Sequence, residues 1–176
     1  RLHAFRGIGQ PLCTGRITIN MNIIVKPYGS SLCYCRPDTT WERENKDFYS
    51  PECVNELHWA PIVFARICKA GKCIGGKFAP RYSESPDIAF TSCADHTSLL
   101  PAPLYNPVVM ENEENIFEVK KNGEKIFASR DISIEASLKE VIEDAICKAS
   151  RLTTLRIGDF IAVELAPVSL MAASCD

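Results

Sequence analysis

His58, His96 and nine cysteines are among the groups in this sequence that could attack a carbonyl, hold a metal or move a proton. An imidazole titrates near neutrality and so suits a general base. The run around His58, His58-Trp59-Ala60-Pro61-Ile62, offers no carboxylate to orient it, which favours a hydrogen-bonded structural histidine. Cys33 and Cys35 alternate on a predicted strand and share a face, while Cys68 and Cys73 flank a turn. With His96 they could in principle collect Zn²⁺, but the pairs lack the C-x-x-C spacing of structural zinc sites. A thiolate nucleophile paired with His58 or His96 is formally possible. The cysteine count is odd and follows no disulfide framework, so most cysteines are expected to be small buried apolar residues. Gly71, Gly75 and Gly76 stand near lysines without the order of a phosphate-binding loop, and a β-turn explains them more simply. Asp87 and Asp95 are isolated carboxylates, expected at the solvated surface.

The elements that must position these groups are mostly strands. Ile17 to Val25, Ile62 to Cys68 and Lys77 to Tyr82 are short runs rich in branched or aromatic residues, bounded by Pro, Gly or Ser. The segment Cys68 to Cys73 has the length of a hairpin turn. A second hairpin is predicted at Ile116 to Ala128, where Phe117 and Val119 alternate with polar residues and Asn122-Gly123 tolerates positive φ. Ser137-Leu138-Lys139-Glu140 has capping-box spacing, and Leu138, Val141, Ile142, Ala145, Ile146 and Ala149 recur at helical intervals, predicting a helix from about Ser137 to Ala149. A turn at Ile157-Gly158-Asp159 opens a last strand, Phe160 to Leu165. No internal repeat is present.

Composition bounds the function classes. The 176 residues are 46% hydrophobic and 24% charged, enough for one substantial core. Net charge is −2, with 20 basic and 22 acidic residues interleaved along the chain, so no footprint for nucleic acid or a membrane is expected. No run approaches the roughly 18 apolar residues of a membrane span, and 1–20 lacks the apolar core of a secretory signal. The sequence reads as soluble and cytoplasmic, with a small molecule or another protein as partner.

Several motifs recur together in one known family. Arg36-Pro37-Asp38-Thr39-Thr40, Phe48-Tyr49-Ser50-Pro51, Leu57-His58, Arg66-Ile67 and Gly71-Lys72 resemble the segments K-P-D-[ST]-x-L, [FY]-x-x-P, I-H-x-E-x-E-L-V-x-R-I and x-G-K of the fumarylacetoacetate hydrolase family. Lys77 to Tyr82 is similar to the stretch before that family's G-x-D-F-T-x-R-D motif. Asn122-Gly123-Glu124 and Thr154-Leu155-Arg156-Ile157-Gly158-Asp159 resemble its N-G-E hairpin and T-L-x-x-G-D turn. The resemblance runs in family order over about Cys33 to Ile161.

The resemblance implies a mixed β (α+β) fold, a rolled sheet or β-sandwich with one packed helix. It spans 21–167 as one domain, after an N-terminal extension 1–20 and before a loose tail 168–176. It also implies a homodimer, and Mg²⁺ or Mn²⁺ held by the two glutamates of H-x-E-x-E and the aspartate of G-x-D-F-T, since hard cations take oxygen ligands. Here the glutamate positions fall on Ala60 and Ile62, and the aspartate position on Thr91 in a gapless alignment from Arg81 or on Ala89 in a shifted one. The catalytic lysine has no counterpart, Glu164-Leu165-Ala166 stands where the substrate loop would be, and Tyr28 is the nearest relic of the lid. The expectation is a catalytically degenerate homologue without cofactor or catalytic residues. His58 would be a relic, and the role binding, regulatory or dimerising, with itself or an active paralogue. The alternative is a divergent hydrolase, decarboxylase or isomerase acting on a 2-oxo acid such as an acylpyruvate.

Overall fold

The computed structural model describes residues 21–42, 49–84, 86–92, 97–98, 118–128 and 137–173. The extension 1–20, His96, Asp95 and the cysteines at 13, 93 and 175 lie outside them.

A curled mixed sheet carries the fold. Its strands are β1 (Ile23–Lys26), β2 (Tyr34–Arg36), β3 (Glu56–Arg66), β4 (Asp87–Ser92), β7 (Phe160–Glu164) and β8 (Ser169–Ala173). They run in the order β2-β1-β7-β3-β4, with β8 also against β3. Strands β1 and β7 are parallel and every other pair is antiparallel. A separate hairpin of β5 (Glu118–Lys121) and β6 (Glu124–Ala128) turns through Asn122 and Gly123, both at positive φ as the Asn-Gly pair requires. Helix α1 (Leu138–Leu152) begins with the predicted capping box, Ser137 Oγ accepting from Glu140 N while Glu140 accepts from Ser137 N.

Alternation along β3 separates two cores. Val63 and Ala65 pack with Ile24, Ile161 and Val163 under the apolar stripe Ile142, Ala145, Ile146 and Ala149 of α1. On the other face Ile62 and Phe64 pack with Ile23, Val25, Ala89, Phe160 and Ala162, covered by Trp41, whose ring stands edge-on to Phe160 at 5.2 Å. Pro61 sits inside β3 without breaking it. On that edge β8 ends opposite Trp59 and β7 begins opposite Ile62, so the missing N–H falls in the gap between two partners, and the Pro61 carbonyl accepts from Leu165 N.

Three expectations about local structure are corrected. Lys77 to Tyr82 is not a strand: Gly75-Gly76 turns the chain and Ala79–Arg81 winds one 3₁₀ turn that buries Ala79 against α1. Cys68 to Cys73 does not close a hairpin, because Gly71 pairs with Leu155 and the next strand in the chain to pair with β3 is β4, beginning only at Asp87. The segment after Pro167 is not loose, since Ser169–Ala173 forms β8 along the first half of β3.

Asp159 ties these layers together. It is 1% exposed, and its carboxylate accepts from Asn22 N at 3.0 Å and Arg156 N at 2.8 Å, while its carbonyl accepts from Ile67 N at 2.7 Å. One residue thus joins β1, β3 and the turn into β7. Removing a carboxylate that satisfies two backbone donors leaves both unpaired, whereas removing an exposed cap frees only a helix end. Asp159→Ala is therefore expected to cost about 2–4 kcal/mol and Ser137→Ala about 1 kcal/mol in urea denaturation, with Asp159→Ala the larger.

Candidate functional site

The positions singled out for metal ligands lie side by side on β3 and β4. Ala60 and Ile62 are 1% and 0% exposed, and Ile62 belongs to the core beneath Trp41. Ala60 stands opposite Thr91 and Ile62 opposite Ala89. All four positions that two alternative alignments nominated are therefore gathered at one place, and the register leaves none of them carrying a carboxylate.

Carboxylates do reach this face from neighbouring strands. Glu164 lies directly across from Ile62 on β7 and is 5% exposed. Its Oε2 accepts from Tyr28 N at 3.0 Å and its Oε1 from the Tyr34 hydroxyl at 3.3 Å. The guanidinium of Arg36 donates to that hydroxyl at 2.6 Å from Nη2 and lies 5.2 Å from the Tyr34 ring centre. A buried carboxylate is thereby linked through a phenol to a cation, and the relay pins the loop Pro27–Cys33 to the sheet. Burial pushes the Tyr34 phenol above its ordinary value, with the Arg36 interaction opposing and the Glu164 charge reinforcing the shift.

Asp87 is another buried carboxylate. Expected at the surface, it is 1% exposed, on β4 opposite Phe64 and on the face that carries Ile62. Backbones of β7 and β4 are two strand spacings apart, about 10 Å, with Phe64 and Ile62 between the two carboxylates. The donor set does not fit a hard divalent cation: the two positions on β3 are apolar, and Glu164 is committed to an amide and a phenol. Among the described residues no group of three His, Cys, Asp or Glu side chains is placed to hold a metal.

His58 follows on the same strand and is 42% exposed in its side chain. Glu56, two residues earlier and on the same side, brings Oε2 to 3.7 Å from Nε2. The acidic neighbour that the run His58 to Ile62 lacks is thus present on its N-terminal side, and i, i+2 spacing on a strand was the signal for it. Trp59 points away from this site, packing beside Val119 and Met171 with its ring 5.7 Å from that of Phe127.

The cysteines are corrected as a group. None of the six described is buried: Cys35, Cys53, Cys68 and Cys73 are exposed and Cys33 and Cys147 half-buried, because they lie in turns, at the edge strand or on the helix flank. All six are free thiols. Desolvation raises the Cys33, Cys35 and Cys147 thiols above their ordinary value, which opposes thiolate formation.

No family model and no curated protein sequence matches the chain. Solved structures do. A provisionally assigned fumarylacetoacetate hydrolase family protein from Yersinia pestis CO92 aligns over 89% of this chain and 85% of its own, at 13% identity and TM-score 0.65. The fold is that of the fumarylacetoacetate hydrolase family. Fumarylpyruvate hydrolase from Pseudomonas aeruginosa, solved with Mn²⁺ and pyruvate, covers 93% of this chain and 91% of its own at 14% identity and TM-score 0.61. Maleylpyruvate hydrolase from Sphingobium sp. SYK-6, also with manganese and pyruvate, matches 86% of this chain at 14% identity and TM-score 0.62, and the chain spans only 62% of its length. The architecture expected from the sequence motifs is therefore present, at an identity too low for any residue's role to follow from it.

Glu164, Tyr34 and Trp41 were not picked out by sequence reasoning. Glu164 drew notice only as an obstacle to a substrate loop, and Arg36 only as a motif position. Two outcomes test the relay. Glu164→Ala, which leaves the Tyr28 amide and the Tyr34 hydroxyl without their acceptor, is expected to cost on the order of 2–3 kcal/mol. Tyr34, with its folded pKa raised, contributes stability that is complete below about pH 10 and is lost as pH rises through the folded value. Alkaline titration of tyrosine absorbance should show a late-ionising phenol that disappears in Tyr34→Phe.

Proposed function

We propose that this chain is a catalytically degenerate protein of the fumarylacetoacetate hydrolase fold that serves as a binding or regulatory homologue, pairing with itself or with an active paralogue. The observation that carries the reading is the pairing of Ala60 with Thr91 and Ile62 with Ala89 in the buried face of the sheet. A divalent ion there would meet the methyl and methylene groups of buried Ala60, Ile62 and Ala89 where anionic oxygen ligands are needed, and desolvating it without anionic partners is prohibitive. Supporting this, Glu164, the cross-strand neighbour of Ile62, is held by the chain's own amide and phenol.

A second reading rests on the neighbours and on the two buried carboxylates. The matched structures include hydrolases solved with manganese and pyruvate, and Glu164 and Asp87 both lie on the Ile62 face. On that reading the chain is a divergent enzyme acting on a 2-oxo acid such as an acylpyruvate, with carboxylates displaced to neighbouring strands.

Calorimetric titration with Mn²⁺ and with Mg²⁺ separates the two. The degenerate reading predicts no stoichiometric binding tighter than about millimolar. Stoichiometric binding below that concentration, abolished by Asp87→Ala, with chelator-sensitive hydrolysis of an acylpyruvate, would establish the second reading instead.

A further inference from the structure

Charges that are interleaved along the sequence are sorted by the fold. Lys69, Lys72, Lys77, Arg81, Arg151 and Arg156 are all exposed, and they come together at one end of the molecule. The joins are explicit: Gly71 and Leu155 exchange backbone hydrogen bonds of 3.0 and 2.8 Å, Cys73 N donates to Ser150 O at 2.8 Å, Cys68 N to Tyr82 O at 2.9 Å and Gly158 N to Ile67 O at 2.8 Å. Buried Ser150 adds a further tie by accepting from Ile74 N. The loop 68–82, the last turn of α1 and the turn into β7 therefore form a continuous surface.

Among the described residues acidic compensation is scarce on that surface. Asp159 is buried and spends both carboxylate oxygens on backbone amides. Glu84 is exposed at its margin, and the acids of α1, Glu140, Glu143 and Asp144, lie in its first two turns, where Asp144 is paired with Lys148 and Lys26. Among the described residues none of the six cations is in an ion pair, and Lys69 lies 5.1 Å from the Tyr82 ring centre. Three large apolar side chains share the same end: Phe78 at 49% exposure, Leu152 at 62% and Ile157 at 62%.

We propose that this end of the molecule is a peripheral docking surface for an anionic lipid bilayer. Charge complementarity selects an anionic partner, since each Lys or Arg brought to an anionic leaflet contributes favourably and screens with salt. The apolar residues select among anionic partners. Phe78 and Ile157 sit on turns and Leu152 ends α1, all three well exposed, which suits shallow insertion beneath a planar headgroup layer rather than capture of a peptide in a groove. Nucleic acid would be served by the cations alone and gives no role to exposed Leu152 and Ile157. The proposal departs from the expectation drawn from composition, because residues interleaved in sequence are brought together by four backbone joins.

Vesicle flotation of the full chain tests the proposal, using phosphatidylcholine alone and phosphatidylcholine with about one third phosphatidylserine. Binding is expected only to the anionic vesicles, falling steeply with salt. Lys72→Glu with Lys77→Glu and Arg156→Glu should weaken it on the order of 100-fold. Leu152→Ser with Ile157→Ser should weaken it as well while leaving its salt dependence in place. Circular dichroism of α1 verifies that each variant is folded. Partitioning that ignores phosphatidylserine content and salt overturns the proposal in the wild-type protein alone. So does binding to a short oligonucleotide or an acidic peptide without binding to the anionic vesicles.

Discussion

Strand β3 is hydrogen-bonded along both edges, by β4 on one side and by β8 and β7 in succession on the other. A strand held this way cannot rotate a side chain out of the core, and a slip of one residue would exchange its faces. Everything else in the molecule is arranged around that fixed alternation. Val63 and Ala65 call for the apolar stripe of α1, and Ile62 and Phe64 call for the cover of Trp41. Ala60 and Ile62 are thereby committed to the interior whatever chemistry the fold carries elsewhere. Carboxylates placed there would need a cation to be tolerated; an alanine and an isoleucine need none.

The same constraint explains why the polar groups of this face lie to one side. Glu164 is the cross-strand neighbour of Ile62, so its carboxylate emerges beside the apolar row rather than within it. It finds its partners outward, at the Tyr28 amide and the Tyr34 phenol, and the Arg36 guanidinium closes the relay. The loop between β1 and β2 is thereby fastened down. Asp159 does the equivalent work at the opposite end of β7, so the strand is anchored at both ends by buried carboxylates with backbone donors.

Local features were legible in the sequence because local physics decides them. The capping box at Ser137 and Glu140, the Asn122-Gly123 turn and the Gly158-Asp159 turn all needed only a few neighbouring residues. Features set by distant partners were not. Pro61 hid the true length of β3, since only the gap between β8 and β7 makes a proline tolerable there. The apolar look of Lys77 to Tyr82 suggested a strand, but Pro80 and the preceding glycines place Ala79 against α1 instead. The tail gained its order only from a free edge of β3. At the site, the substitutions at Ala60 and Ile62 could be read from motif spacing, whereas the burial of Asp87 and Glu164 and the partner Glu56 beside His58 depended on strand register.

The central claim is that the face beneath Trp41 has no seat for a divalent ion. A crystal of the protein soaked in Mn²⁺ and pyruvate, with the manganese located by its anomalous scattering, tests that claim at the atoms concerned. The account predicts no manganese peak beside Ala60, Ile62 and Ala89, with Glu164 still bound to the Tyr28 amide and the Tyr34 hydroxyl. A fully occupied peak ligated by Glu164 or Asp87, with Tyr34 displaced, would contradict it.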